Sequence, residues 1–211
     1  MKLVLFGATG MVGTRIATEA SERGHLLLAV SRSGQSPLPG VAATAADAAD
    51  AAKVAGLARG ADAIASACVP PRDGTDPREP FLTLNKGLVD GAREAGVGRL
   101  VIVGGAGGLE VAPGQAIADQ PGFPEAYLPE ADAHRAALAF YRTVDDLDWT
   151  VVSPASEIAP GERTGRFRLG GDELLTDAEG HSRISAEDFA VAFVDELEQD
   201  AHPRSRMSVA Y

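Results

Sequence analysis

Several classes of protein are excluded by what this sequence lacks. Cysteine occurs once, at Cys68, so no internal disulfide can form and a reducing compartment is expected. No charged and apolar leader is present, because the opening run Leu3-Val4-Leu5-Phe6 is closed at once by Gly7. A signal peptide, a membrane span and a membrane partner are therefore not expected, and the expected location is cytoplasmic. Positive charge is in deficit as well. The chain has 19 Lys and Arg against 30 Asp and Glu, a formal net charge of −11. That balance argues against nucleic acid or an anionic membrane as a main partner and fits simple solubility. None of the 4 histidines has metal-ligand spacing to a partner, and no metal is expected. There is no internal repeat, and nothing decides the oligomeric state.

What is present is enough for one core. With 211 residues, 45% of them hydrophobic, the chain fits a single domain spanning 1–211. Its most informative stretch comes first. The apolar run Lys2 to Phe6 reads as a buried strand, and Gly7-Ala8-Thr9-Gly10-Met11-Val12-Gly13 follows directly. A helical pattern comes next, with Val12, Ile16 and Ala20 on one face. Strand, glycine turn and helix is the context in which a glycine spacing predicts a nucleotide site. Gly7 suits the tight turn out of the strand. Gly10, without a Cβ, lets a pyrophosphate approach the backbone, and Gly13 allows helix and strand to pack closely. The free amides of the helix start then face the phosphates. Thr9, Met11 and Val12 lie within the same turn. The spacing is G-x-x-G-x-x-G, not the commoner G-x-G-x-x-G, and a purely structural turn is the competing reading.

Strands and helices alternate down the chain. Strands are expected at 26–30, 41–45, 61–67, 99–103 and 149–153. Helices are expected from Asp50 to about Arg59, from Pro80 to Ala95, and from about 129 to Val144. Asp50 is a plausible N-cap. The alternation predicts an α/β fold, a Rossmann-type doubly wound parallel sheet. From Ala155 the pattern breaks into glycine-punctuated pieces, with short strands expected at 166–169 and 173–176. Residues 155–183 are therefore expected to form a small lid or substrate-pocket segment. Ser185-Ala-Glu-Asp188 looks like a capping box opening a final helix, and 206–211 a final strand.

The corner after the second strand reads Ser31-Arg32-Ser33. Sites that prefer NAD carry an acid there, which bonds the ribose hydroxyl. A guanidinium instead can clamp a 2′-phosphate, so NADP(H) is expected over NAD(H). A surface arginine at a strand end is the competing reading.

With these motifs, the chain resembles the atypical short-chain dehydrogenase/reductases, in particular the flavin-reductase-like branch related to biliverdin reductase B. The resemblance rests on the stretch Gly7 to Gly13, Arg32, Asp47-Ala-Ala-Asp50, Gly60-Ala-Asp-Ala-Ile64, Val101-Ile-Val-Gly-Gly-Ala106 and Trp149-Thr-Val-Val-Ser-Pro154. It continues through Gly161 to Gly165 and Ser182 to Asp188, and so covers almost the whole chain. It implies that Asp47 and the amide of Ala48 lie at the adenine. Ala67 and Cys68 would lie under the ribose and pyrophosphate, Gly104 and Gly105 beside the nicotinamide, and Pro154 in its pocket. Cys68 as a small core residue is an equal reading, and no basic neighbour in sequence supports a reactive thiol.

One family signature is absent. Typical members use Tyr-x-x-x-Lys, and no tyrosine here has a lysine four positions on. Counting back from Trp149 places His134 near the lysine position and Glu130 near the tyrosine position, on one helix face. His134 then either touches the nicotinamide ribose or a substrate, as the one catalytic candidate, or is a surface histidine paired with an acid. Gly105 stands where relatives often have serine, and Glu187 or Asp188 where biliverdin reductase B has a histidine. Ketone reduction needs a positioned acid. A flavin spreads the incoming charge over its rings, so it needs orientation more than acid–base help. The expected activity is therefore NADPH-dependent hydride transfer to a flavin, as substrate, or a similar flat acceptor. The alternatives are a non-catalytic NADP-binding redox sensor of the NmrA type and, further off, a sugar-nucleotide epimerase.

Overall fold

A computed structural model describes residues 1–211. In chain order the elements are β1 (Lys2–Phe6), α1 (Met11–Glu22), β2 (Leu26–Ser31), β3 (Ala42–Ala45), α2 (Ala51–Ala58), β4 (Ala63–Ser66), α3 (Arg78–Ala95) and β5 (Arg99–Val103). Then come β6 (Glu110–Ala112), β7 (Gln115–Ala116), α4 (Leu128–Tyr141), β8 (Asp148–Pro154), β9 (Glu157–Ala159), β10 (Arg168–Gly170), β11 (Arg183–Ser185), α5 (Ala186–Gln199) and β12 (Ser205–Ala210). Eight strands form one sheet in the order β10-β12-β8-β5-β4-β1-β2-β3. All neighbours in it run parallel except β10, which is antiparallel to β12.

Alternation along each strand makes two cores, because successive side chains point to opposite faces. Leu3 and Leu5 face α1 and α5, meeting Ile16, Phe189, Phe193 and Leu197. Val4 and Phe6 face the other way, into the layer of α2, α3 and α4 with Val54, Leu88, Leu138 and Tyr141. Both faces of the sheet are thus covered, which is why its strands read as unbroken apolar runs. Each large side chain so buried contributes about 1.5–3 kcal/mol. The doubly wound α/β fold is the one the sequence predicts.

Differences from the expected elements are local. The expected strand at 173–176 does not form, and Glu173 makes only a single bridge, to Glu110. The stretch after β5 contains the β6–β7 hairpin and two short 3-10 turns, at Ile117–Asp119 and Glu125–Tyr127. β9 and β11 pair in parallel apart from the main sheet. The final helix has Ser185 as N-cap, accepting the Asp188 amide, but Asp188 does not return the bond as a capping box would. Its carboxylate, fully buried, instead takes the Gly165 amide and the hydroxyls of Thr164 and Tyr211. Gly165 has φ +68°, a left-handed conformation suited to glycine. Arg163 forks onto Glu19 of α1 at 2.7 Å through both contacts, and Glu187 binds Arg15 and the Gly161 amide. Residues 161–165 are thereby strapped to α1 and α5.

Candidate functional site

In an open parallel sheet, ligands bind beyond the carboxyl ends of the strands, where the strand order reverses. That point lies between β1 and β4. The β1–α1 turn sits there. Gly7, at φ +75°, donates its amide to Val30 at 2.9 Å and turns the chain out of the sheet. A Cβ on Gly7 would lie 2.6 Å from the Ala67 carbonyl carbon, and one on Gly13 only 2.1 Å from the Gly7 oxygen. Both glycines are required by the protein's own packing. Gly10 is different. Its φ is ordinary and its nearest neighbour to a Cβ would be 3.5 Å away, so nothing inside the chain demands a glycine there. The room it leaves lies on the exposed side. The amides of Met11, Val12 and Gly13 have no acceptor in the protein, and no side chain caps the helix. Unpaired amides at the positive end of a helix form an anion cradle. Thr9, Gly10 and Met11 are exposed at its mouth.

The remaining predicted positions gather on the same edge of the sheet. Arg32 directly follows β2, on a tight turn closed by Gly34, and its guanidinium is exposed with no ion-pair or hydrogen-bond partner. Asp47 follows β3, and one of its oxygens accepts the Ala49 amide at 2.9 Å. Ala48 is buried beneath it, its carbonyl against Gly87. Ala67 and Cys68 follow β4 and abut Gly7. The Cys68 thiol is pushed up to about 11, mainly by burial, with Asp47 adding to the rise and Arg32 opposing it. It is protonated at neutral pH and is no nucleophile. Gly104 and Gly105 follow β5, and Pro154 ends β8.

His134 reaches this edge from α4. Its ring lies against Gly105, where a Cβ would be 2.7 Å from Cδ2, and edge-on to Phe81 at 4.8 Å between centroids. Burial lowers its pKa to about 4, so the imidazole is neutral at pH 7. It is not paired with an acid. Glu130 turns instead to Arg72 in the loop after β4, with bonds of 3.0 and 2.8 Å. The expected alternative of a histidine paired with an acid is therefore corrected: Arg72 engages Glu130, and the ring packs on Gly105 and Phe81. The tyrosines are accounted for as well. Tyr141 is buried and donates to Asn85, and Tyr211 bonds Ser185 and Asp188. Only Tyr127, at the start of α4, is exposed.

Arg72, Phe81, Ser153 and Arg206 also belong to this neighbourhood, and no motif pointed to them as a group. Their convergence depends on how α4 crosses the ends of β5 and β8. A concavity of about 750 Å³ lies elsewhere. It lies at the opposite end of the sheet, around Leu26, Leu28, Val41 and Leu57, where a doubly wound fold places no cofactor. No three or more His, Cys, Asp or Glu side chains come together as metal ligands. No helix is long and apolar enough to cross a membrane.

Comparison with known proteins agrees with this geometry. The sequence matches the family described as NAD(P)H-binding over residues 7–200. The uncharacterised protein YwnB of Bacillus subtilis is 33% identical over 220 residues, covering 99% of this chain and 98% of the relative. A crystal structure from Burkholderia pseudomallei, of a protein provisionally called exported, is 52% identical with a TM-score of 0.92 over 100% of both chains. One from Bacteroides thetaiotaomicron, provisionally called an epimerase, is 38% identical with a TM-score of 0.89, over 100% of this chain and 96% of that one. One from Streptococcus pneumoniae, provisionally called an NADH-flavin reductase, is 32% identical with a TM-score of 0.86, over 100% of this chain and 99% of that one.

Proposed function

The chain belongs to the NAD(P)H-binding family, among the atypical short-chain dehydrogenase/reductases, and from that premise we propose that it is an NADPH-dependent oxidoreductase serving a flavin or another flat conjugated acceptor. When bound, the nicotinamide supplies the hydride. The chain's own part is to hold and orient. The free amides of Met11, Val12 and Gly13 bind the pyrophosphate, with Gly10 leaving the approach open. Arg32, unpaired and exposed, takes the 2′-phosphate, while Asp47 and Ala48 border the adenine. Ala67 and Cys68 floor the ribose and pyrophosphate. Gly104, Gly105, His134 and Pro154 bound the nicotinamide end.

The observation that carries the acceptor is His134. It is the titratable group at Gly105, it is neutral, and no Tyr-x-x-x-Lys accompanies it. A site without a charged proton donor suits an acceptor that spreads the hydride's charge and takes its proton from water. The S. pneumoniae relative, provisionally called an NADH-flavin reductase, supports the same reading. An epimerase reading has the B. thetaiotaomicron relative in its favour. It has no tyrosine to work with, since Tyr141 and Tyr211 are spent on structural bonds and Tyr127 lacks its lysine.

The segment 155–183 serves in this reading as a strapped wall of the acceptor pocket. The cytoplasm, where NADPH is kept reduced, is the proposed compartment, and fractionation of the native host tests it against export. The activity is tested by mixing purified protein with NADPH and FMN or FAD and following absorbance of the reduced nicotinamide. Flavin-dependent oxidation is expected. Tight NADPH binding without any turnover would sink the reductase and leave the redox-sensing regulator.

A further inference from the structure

Two side chains join the anion cradle to the C-terminal quarter of the chain. Arg15, one turn beyond Met11 on α1, donates through Nη1 to the Met11 carbonyl at 3.0 Å and through Nε to Glu187 at 2.8 Å. The other carboxylate oxygen of Glu187 accepts the Gly161 amide at 2.7 Å. Three short bonds thus run without a break from Met11 to Gly161. The Met11 carbonyl belongs to the same peptide unit as the Val12 amide, and that amide is one of the three in the cradle with no acceptor in the protein. A planar peptide unit moves as one body. The bond that Arg15 makes to its oxygen therefore fixes where its N–H points, and a charged donor there polarises the N–H as well.

A plain staple between α1 and α5 is the competing explanation, but α1 is already held. Farther along it, Arg23 reaches Asp195 and Glu198 of α5 at 2.7 and 2.8 Å, and Ile16 packs with Phe189 and Phe193. The strap is held as well, since Arg163 forks onto Glu19 and Asp188 takes the Gly165 amide. Among these ties, only that of Glu187 ends on a cradle peptide. Burial works against the charge of Glu187, yet its Arg15 and Gly161 donors hold the carboxyl below the ordinary carboxylate range. It is an anion at pH 7 with both oxygens occupied.

We propose that Glu187 is a positioning residue for the bound cofactor: through Arg15 it aims the Met11–Val12 peptide at the pyrophosphate, and it couples occupancy of the cradle to order at Gly161. The proposal rests on the reading of the cradle as the pyrophosphate site. Coupling of this kind is reciprocal. If the Glu187 bridge strengthens cofactor binding, bound cofactor tightens the bridge by the same factor. Gly161 lies in the segment proposed as the wall of the acceptor pocket, so bound NADPH firms that wall before an acceptor arrives.

Glu187→Gln breaks the bridge with little change in shape, because a carboxamide offers one acceptor oxygen where the carboxylate serves two donors. NADPH affinity, measured by titration calorimetry, is expected to fall about fivefold, the lower end of the usual coupling range. Hydrogen exchange at the Gly161 amide is expected to slow when NADPH binds the wild-type protein and to stay unchanged in Glu187→Gln. A merely structural bridge would alter exchange equally with and without the nucleotide. Arg163→Met, which frees the strap from Glu19, is expected to keep the wild-type NADPH affinity. If Glu187→Gln folds poorly, Arg15→Lys serves in its place: an ammonium lacks the planar fork that spans Glu187 and Met11, and the same two losses are expected. Unchanged affinity in these variants, an equal loss in Arg163→Met, or wild-type exchange at Gly161 indifferent to NADPH overturns the proposal and leaves the cofactor site standing. Wild-type protein that binds no NADPH overturns the cofactor reading itself, and the positioning role with it.

Discussion

The two ends of the candidate site are built from different materials. At the β1–α1 end the groups offered are backbone amides, and the shape is set by Gly7, Gly10 and Gly13, all within one short stretch of chain. At the β5–α4 end the working groups are side chains. His134, Ser153 and Arg206 come from α4, β8 and β12 and meet only because those elements cross behind Gly105. The first end depends on local conformation, which a short motif can encode. The second depends on packing between distant segments, and so carries buried polar atoms whose partners must be arranged by the fold.

The contrast breaks most visibly at the first end. Gly13→Ala puts a Cβ 2.1 Å from the Gly7 oxygen, a backbone atom that cannot swing aside. A loss of about 3 kcal/mol or more is expected in chemical denaturation. Gly10→Ala has no such clash and is expected to change stability by under ~1 kcal/mol. Its NADPH affinity should nonetheless fall by about tenfold or more, equal to ~1.4 kcal/mol. Equal losses of stability in the two variants would mean that Gly10 is a packing glycine like its neighbours.

Cofactor choice comes next in size. Arg32→Ala removes the unpaired guanidinium at the β2 corner. NADPH affinity is expected to fall by about 10- to 100-fold, the worth of a charge-assisted bond, with NADH affinity unchanged. Titration of both nucleotides separates the effects, and equal changes would count against a 2′-phosphate clamp.

At the second end the expected effects fall on stability and hardly touch cofactor affinity. Gly105→Ala would crowd the His134 ring, whose Cδ2 lies 2.7 Å from the new atom. A cost of about 1–3 kcal/mol is expected, with NADPH affinity nearly kept because the anion cradle is untouched. His134 also predicts a pH dependence. Its folded pKa of about 4 lies below its ordinary 6.5 because burial disfavours the charged ring. Between those values the unfolded chain binds a proton that the folded chain refuses, so this contribution to stability is full above pH 6.5 and is lost as pH falls towards 4. In His134→Gln the difference in stability between neutral pH and pH 5 should shrink. Denaturation curves at both pH values measure it, and an undiminished difference would assign the acid sensitivity to other groups.

Much of this protein is determined by sequence alone. The strand–glycine–helix opening, the alternation behind the doubly wound sheet and the absence of Tyr-x-x-x-Lys are all local or compositional, since strand periodicity and glycine conformation act within a few residues. Arg32 is legible for the same reason, standing directly at a strand end. The different roles of Gly10 and Gly13 follow from their places in the motif, and the tertiary structure added the 2.1 Å approach that bars a Cβ from Gly13. It alone turned Glu130 to Arg72 and packed His134, as a neutral ring, on Gly105 and Phe81. It alone made Asp188 the anchor of the 161–165 strap, where a capping box was expected. Those outcomes rest on which distant atoms compete for one buried space. Burial, unlike periodicity, is a property of the whole packed chain.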